Sequence, residues 1–64
     1  MTRTKMAVVG CGHLGTIHAR LLASRPDVEL VAVVDPVPAS RQKVADAHGC
    51  VPLAEPRELV GLVD

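Results

Sequence analysis

The sequence predicts an α/β fold in which strands and helices alternate, β-α-β-α-β-α, with the strands parallel in one sheet. Three observations carry this. Lys5–Val9 and Val28–Val34 are two short aliphatic runs, the second nearly all β-branched, as in strands covered on both faces. Between them, Gly10-Cys11-Gly12-His13-Leu14-Gly15 opens a segment whose apolar residues recur at three- and four-residue spacing. The second run then ends in a carboxylate, Asp35.

Each element follows from its residues. Lys5–Val9 forms the first strand, apolar on both faces and therefore expected at the centre of a sheet. The spacing of Leu14, Ile17, Leu21 and Leu22, with Ala19 beside them, predicts an amphipathic helix from His13 to about Ser24. Ser24-Arg25-Pro26-Asp27 ends it, because proline cannot continue a helix and Asp27 suits a turn. Arg20 and Arg25 sit near the helix C-terminus, where positive charge is favoured. Val28–Val34 is the second strand, and Asp35-Pro36-Val37-Pro38 a rigid loop. Pro38 falls at or near the first helical position, where a missing N–H costs nothing. A second helix runs to about His48, with Gly49 as its stop. Its apolar face is only Val44, Ala45 and Ala47, which puts it near the sheet edge or beneath something outside this chain. Cys50 to Leu53 suits a short third strand, and Arg57 to Leu62, after Pro56, the start of a third helix. A further strand is expected to begin at Val63-Asp64.

Strand, glycine loop, helix, strand and terminal acid together make a Rossmann-type dinucleotide fingerprint, of which the chain holds an incomplete first half. Gly10 allows a tight turn off the first strand. Gly12 lets the backbone approach a pyrophosphate, and Gly15 lets the helix pack closely on the strands. The amides at the helix start, in the His13-Leu14-Gly15 stretch, together with the positive end of the helix dipole, attract phosphates. Asp35, about twenty residues beyond Gly15, would accept hydrogen bonds from the adenosine ribose hydroxyls; the plainer reading is a turn residue at a strand end. A carboxylate repels a 2′-phosphate, and Pro36, Val37 and Pro38 occupy the positions where an NADP site would place a cation. NAD is therefore preferred to NADP, with Arg41 the nearest cation, on the next helix.

The remaining candidates read more plainly. His13 contributes its backbone N–H, with the ring exposed. His18, one turn into the helix, is a structural histidine bonded to a neighbouring carbonyl, or else a cofactor contact. His48 suits a helix C-terminus. Cys11 lies near a helix N-terminus, which can lower a thiol pKa, but no base accompanies it in sequence. Cys11 and Cys50 lack metal-ligand spacing, so no metal site is expected. Arg3 and Lys5 read as a solvated chain start.

Composition narrows the class. The 64 residues are 48% hydrophobic and 22% charged, as in a globular interior, and carry zero formal net charge. With basic residues scattered and no Phe, Tyr or Trp to stack on bases, neither nucleic acid nor an anionic membrane is an expected partner. No apolar segment approaches the roughly 20 residues of a membrane span, and Met1–Lys5 is too short and polar for a signal peptide. Two cysteines fit a reduced, cytoplasmic protein. A chain this short buries only about 60% of its unfolded surface. It is expected to be the front part of a larger protein, and marginal or unfolded by itself.

The sequence resembles the Gfo/Idh/MocA oxidoreductases. The likeness lies in Val8-Val-Gly-Cys-Gly-His-Leu-Gly15, in Ile17-His18-Ala19, in Val31-Ala-Val-Val-Asp-Pro36 and in Arg57-Glu-Leu-Val-Gly-Leu-Val-Asp64, and covers essentially the whole chain. The glycine motif alone is shared by many dehydrogenases; the His-Ala pair and the Val-Asp-Pro ending narrow the field. The resemblance implies an NAD(P)-dependent enzyme of two domains. It would move a hydride between nicotinamide and a secondary hydroxyl of a sugar, cyclitol or related small molecule. Substrate binding would belong to a second domain, and the whole protein is expected to be a homo-oligomer. The family's catalytic lysine, in a Glu-Lys-Pro motif, and its distal Asp or His would lie beyond Asp64, so no catalytic residue falls within this sequence. Two rivals stand beside this reading: a non-catalytic NAD(H)-sensing module, and a functionless truncated fragment.

Overall fold

A computed structural model describes residues 3–63. Strand β1 (Thr4–Val9) leads into helix α1 (His13–Ala23), strand β2 (Val28–Val34), helix α2 (Pro38–His48), strand β3 (Val51–Leu53) and a short 3-10 helix, η1 (Pro56–Leu59). The three strands form one parallel sheet in the order β1-β2-β3. This is a Rossmann-type β-α-β-α-β chain. The β1/β2 register runs from Thr4 opposite Val28 to Val9 opposite Val34 and slips between Met6 and Ala7, where β2 carries one extra residue. Beyond that bulge Val9 and Val34 end level, so both strands deliver their following loops to the same place.

Helices α1 and α2 pack against each other and against β2, so both lie on one face of the sheet. The core between them is Val8, Cys11, Ala19, Val33, Val44 and Ala45, with Leu22, Leu30 and Cys50 packed against it. Ala32 and Val34, which alternate with Val33 along the strand, are also fully buried. β2 is thus covered on both faces, as its composition requires. Ala19, the small residue that α1 gives to this core, has no exposed surface.

Three expectations need correction. β1 is an edge strand among the described residues, not a central one, and Met6 and Val9 are exposed. Its apolar character suits a neighbour on the far side that these residues do not supply. The α1 stripe is likewise only partly used. Ala19 and Leu22 meet the core, whereas Leu14 and Leu21 are exposed. Finally, the third helix is the four-residue turn Pro56–Leu59. Val60 already leaves helical geometry, with ψ 123°, and Gly61 follows at φ +85°, a left-handed value that ends any helix. The strand expected at Val63-Asp64 lies partly outside the described residues; Val63 belongs to no regular element. The expectation for Met1 and Thr2 also lies outside them. Elsewhere the agreement is close: α2 starts at Pro38 and ends at His48, and Gly49 after it, with a left-handed backbone (φ +68°), donates its N–H to the Ala45 carbonyl.

Candidate functional site

The site is built where β1 and β2 end. Val9 passes into Gly10, whose φ of +96° bends the chain sharply off the strand. The Gly10 N–H donates to the Val34 carbonyl at 2.6 Å, which ties the turn to the end of β2. Helix α1 then begins at once, with Gly12 as its N-cap residue. The first bond of the helical ladder is Thr16 N–H to the Gly12 carbonyl, at 2.8 Å. The amides of His13, Leu14 and Gly15 therefore precede the ladder and point out of the helix end. No side chain caps that end, and its first turn holds no acidic residue. Thr16 adds a hydroxyl bond to the Gly12 carbonyl (2.9 Å) and a longer one to the Cys11 carbonyl (3.4 Å), pinning the loop from below.

The three glycines have different surroundings. A Cβ on Gly15 would fall on the carbonyl oxygen of Gly10, so the helix lies against the turn as closely as a missing side chain allows. Gly10 needs its left-handed backbone. Gly12 needs neither: its φ is −72°, and a Cβ there would meet no atom within 4 Å. Nothing among the described residues requires glycine at position 12. The space beside it belongs to an open cleft of about 410 Å³ lined by Val9, Gly10, Gly12, His13, Leu14, Gly15 and His18.

Asp35 stands across from this loop. Its Oδ2 accepts the Cys11 N–H and its Oδ1 the Val37 N–H, each at 2.8 Å. These two bonds, the Cys11 one foremost, hold the carboxyl below the usual carboxylate range. A carboxylate offers about four lone-pair positions, so roughly half remain for a ligand. The plain turn role thus leaves room for a ligand on the same side chain. Its own N–H donates to the Leu53 carbonyl at 3.1 Å, anchoring the strand end to β3.

Five of the six sequence candidates, Gly10, Gly12, His13, Leu14 and Gly15, share one cleft, and Asp35 reaches their loop through Cys11. His13 is exposed, leaving its backbone N–H at the helix start. His18 departs from the first of its two expected roles, the structural one. Its ring makes no hydrogen bond among the described residues and is exposed between the glycine cleft and a second, apolar groove. It lies beside Val9 in both hollows. The Cys11 thiol is buried, and burial first, then the Asp35 charge, pushes it up; its Sγ lies 3.8 Å from the Val34 carbonyl. It is a core residue and not an activated nucleophile.

Two residues take part in ways the sequence reading did not assign. Arg41 folds back from α2 so that Nη1 donates to the carbonyls of Asp35 (3.0 Å) and Pro36 (3.3 Å). Thr16 pins the loop through its hydroxyl. Its signal was present, since a threonine four residues after a carbonyl often bonds back to it in a helix.

A glycine turn, an open helix N-terminus and a strand-end acid in one place are the parts of the βαβ unit of nucleotide-binding α/β domains. Comparison with known proteins makes the class specific. Residues 4–64 match the family described as "Oxidoreductase family, NAD-binding Rossmann fold". The chain belongs to this Gfo/Idh/MocA family. It is 37% identical over 46 residues to inositol 2-dehydrogenase of Rhizobium meliloti (strain 1021), covering 72% of this chain and 14% of that protein. It is 44% identical over 45 residues to the rhizopine catabolism protein MocA of Rhizobium meliloti, covering 70% of this chain and 14% of that one. Among solved structures, a myo-inositol dehydrogenase from Corynebacterium glutamicum ATCC 13032 superposes with TM-score 0.83 at 36% identity, covering 95% of this chain and 18% of that one. Apo scyllo-inositol dehydrogenase from Lactobacillus casei gives 0.81 at 29% identity, covering 98% and 19%. The chain therefore spans about a seventh of the length of its curated relatives. Among the described residues no helix is long and apolar enough to cross a membrane.

Proposed function

We propose that these residues hold the NAD of a dehydrogenase that oxidises a secondary hydroxyl on a cyclitol or sugar. The amides of His13, Leu14 and Gly15 would receive the pyrophosphate, which the helix dipole also favours. Gly12 leaves the space the phosphates need. Asp35 uses its spare lone pairs on the adenosine ribose hydroxyls, and its charge disfavours the extra phosphate of NADP. When bound, the nicotinamide supplies the hydride acceptor or donor. The protein's own part here is to bind and orient. Substrate recognition and proton transfer belong to residues beyond these 64, and no catalytic residue is assigned within them. The inositol dehydrogenases among the relatives support the cyclitol side of the reading. A cytoplasmic, homo-oligomeric enzyme completes it; the two free cysteines accord with a reducing compartment.

The observation that carries the proposal is the meeting of the open α1 N-terminus with the Asp35 carboxylate, 2.8 Å from the Cys11 N–H in the same loop. Calorimetric titration of the protein with NAD⁺ and NADP⁺ tests it, followed by an absorbance assay for reduced nicotinamide with myo-inositol. Saturable NAD⁺ binding, tighter than NADP⁺, and inositol-dependent reduction are expected. Failure to bind either dinucleotide would refute it, and binding without reduction of nicotinamide by any polyol would favour a sensing role.

A further inference from the structure

The guanidinium of Arg41 has no part in the fingerprint, yet it reaches the strand end that bears Asp35. Its Nη1 donates to two successive carbonyls, those of Asp35 and Pro36, at 3.0 and 3.3 Å. The loop it grips also carries the Val37 N–H that holds Asp35 Oδ1. The Arg41 N–H in turn donates to the Val37 carbonyl at 3.2 Å. Side chain and main chain of one residue therefore close the Asp35–Val37 loop from both ends. Resting on the cofactor reading above, we infer that Arg41 is a positioning residue: it fixes the loop that aims the Asp35 carboxylate at the ribose, and so sets the preference for NAD over NADP.

The geometry gives the direction of the effect. A cation near the end of β2 could serve a 2′-phosphate, but here Nη1 is directed at backbone carbonyls of the loop. A planar guanidinium can reach two neighbouring acceptors at once; in water each carbonyl would otherwise keep its own solvent. With the loop fixed, each Asp35 oxygen holds one backbone amide, Oδ2 that of Cys11 and Oδ1 that of Val37, and keeps lone-pair capacity to spare. Without Arg41, Asp35 retains its Cys11 partner but loses the framework that keeps Val37 in register. Its charge also helps hold the Asp35 carboxyl low, after the Cys11 and Val37 amides.

Arg41→Met keeps the helix-forming stem and removes the donor, while Arg41→Lys keeps the charge and one donor. Both are compared with the unaltered protein, made from its own complete reading frame. Without cofactor, the Asp35 carboxyl is titrated by ¹³C NMR. Its midpoint is expected to rise in Arg41→Met and to stay near the unaltered value in Arg41→Lys. With cofactor, Arg41→Met is expected to weaken NAD⁺ about fivefold, the effect of one net hydrogen bond. NADP⁺ should change by less than about twofold, so selectivity narrows, and Arg41→Lys should restore part of it. An unmoved Asp35 midpoint together with an unchanged NAD⁺ to NADP⁺ ratio would overturn the inference. A selective loss of NADP⁺ would overturn it too, by placing the guanidinium on a phosphate. If the unaltered protein binds neither dinucleotide, it is the cofactor reading that falls, and hydrogen exchange of the Val37 N–H that holds Asp35 Oδ1, expected to quicken in Arg41→Met, still decides whether Arg41 fixes the loop.

Discussion

A methyl group on Gly15 would occupy the position of the Gly10 carbonyl oxygen, so Gly15→Ala must push helix and turn apart. The expected loss is about 2 kcal/mol or more, measured as a lower urea midpoint. Asp35 adds a pH dependence whose sign is fixed by its amide partners. Its carboxyl is held below the ordinary carboxylate range in the folded protein, by the Cys11 N–H first and the Val37 N–H second. The stabilisation is therefore present above the pKa of the unfolded chain, and is lost as pH falls through the lower, folded value. Asp35→Asn should flatten that acid limb in urea melts taken at successive pH values. An unchanged acid limb in the variant would show that these two bonds do not form. Exposed Asp27, lowered by its bonds to Arg25, contributes to the same limb in both proteins and cancels in the comparison. Cys11 is buried and its thiol is pushed up by that burial, so iodoacetamide should label it in the native protein only as fast as the protein opens. The place of Asp35 at the end of β2 was legible because a β-branched run ending in Asp-Pro is distinctive. Its partner, the Cys11 amide, was not, since a backbone contact 24 positions away leaves no mark on residue types.

Helix α2 was the most legible element, because proline at its start and glycine past its end act locally and need no tertiary context. Helix η1 was the least. Arg57 to Leu62 has helical residue types, but Gly61 takes a left-handed backbone and the segment closes after one turn. Glu58 Oε1 accepts the Glu55 N–H at 3.2 Å, a capping arrangement that fixes the start and does nothing to lengthen the helix. The bulge in β2 was invisible as well, since Val31 is one of four valines in its strand and nothing in its residue type marks it. Strand β2 itself carries the sheet. Val33 has no exposed surface and meets both helices' core residues, so Val33→Ala should cost about 2 kcal/mol in the same urea assay. A loss below about 0.5 kcal/mol would mean that β2 is not the buried centre of the sheet.

The molecule is asymmetric. One side of the sheet carries both helices, while β1 keeps an open edge beside exposed Val9, Leu14 and Leu21 and an apolar groove of about 370 Å³ that includes His18. The relatives are several times longer than this chain, and an apolar edge of this kind suits further strands of such a protein. For the 64 residues by themselves, hydrogen exchange should be fastest in β1 and η1 and slowest in β2. Equal protection in β1 would show that its edge is covered, for instance by a second copy.

The claim on which all of this converges is that the cleft over α1 is shaped for a ligand and not for the fold. Gly12 isolates that claim, because its backbone suits any residue and its missing side chain leaves only open space. Gly12→Ala should leave stability unchanged or raise it by about 0.4–1 kcal/mol, the effect of a stiffer unfolded chain. In parallel titrations NAD⁺ affinity should fall at least about tenfold, as a methyl group enters the space of the pyrophosphate. A variant of undiminished stability that binds NAD⁺ as tightly as the unaltered protein would contradict the account, since the dinucleotide would then lie elsewhere.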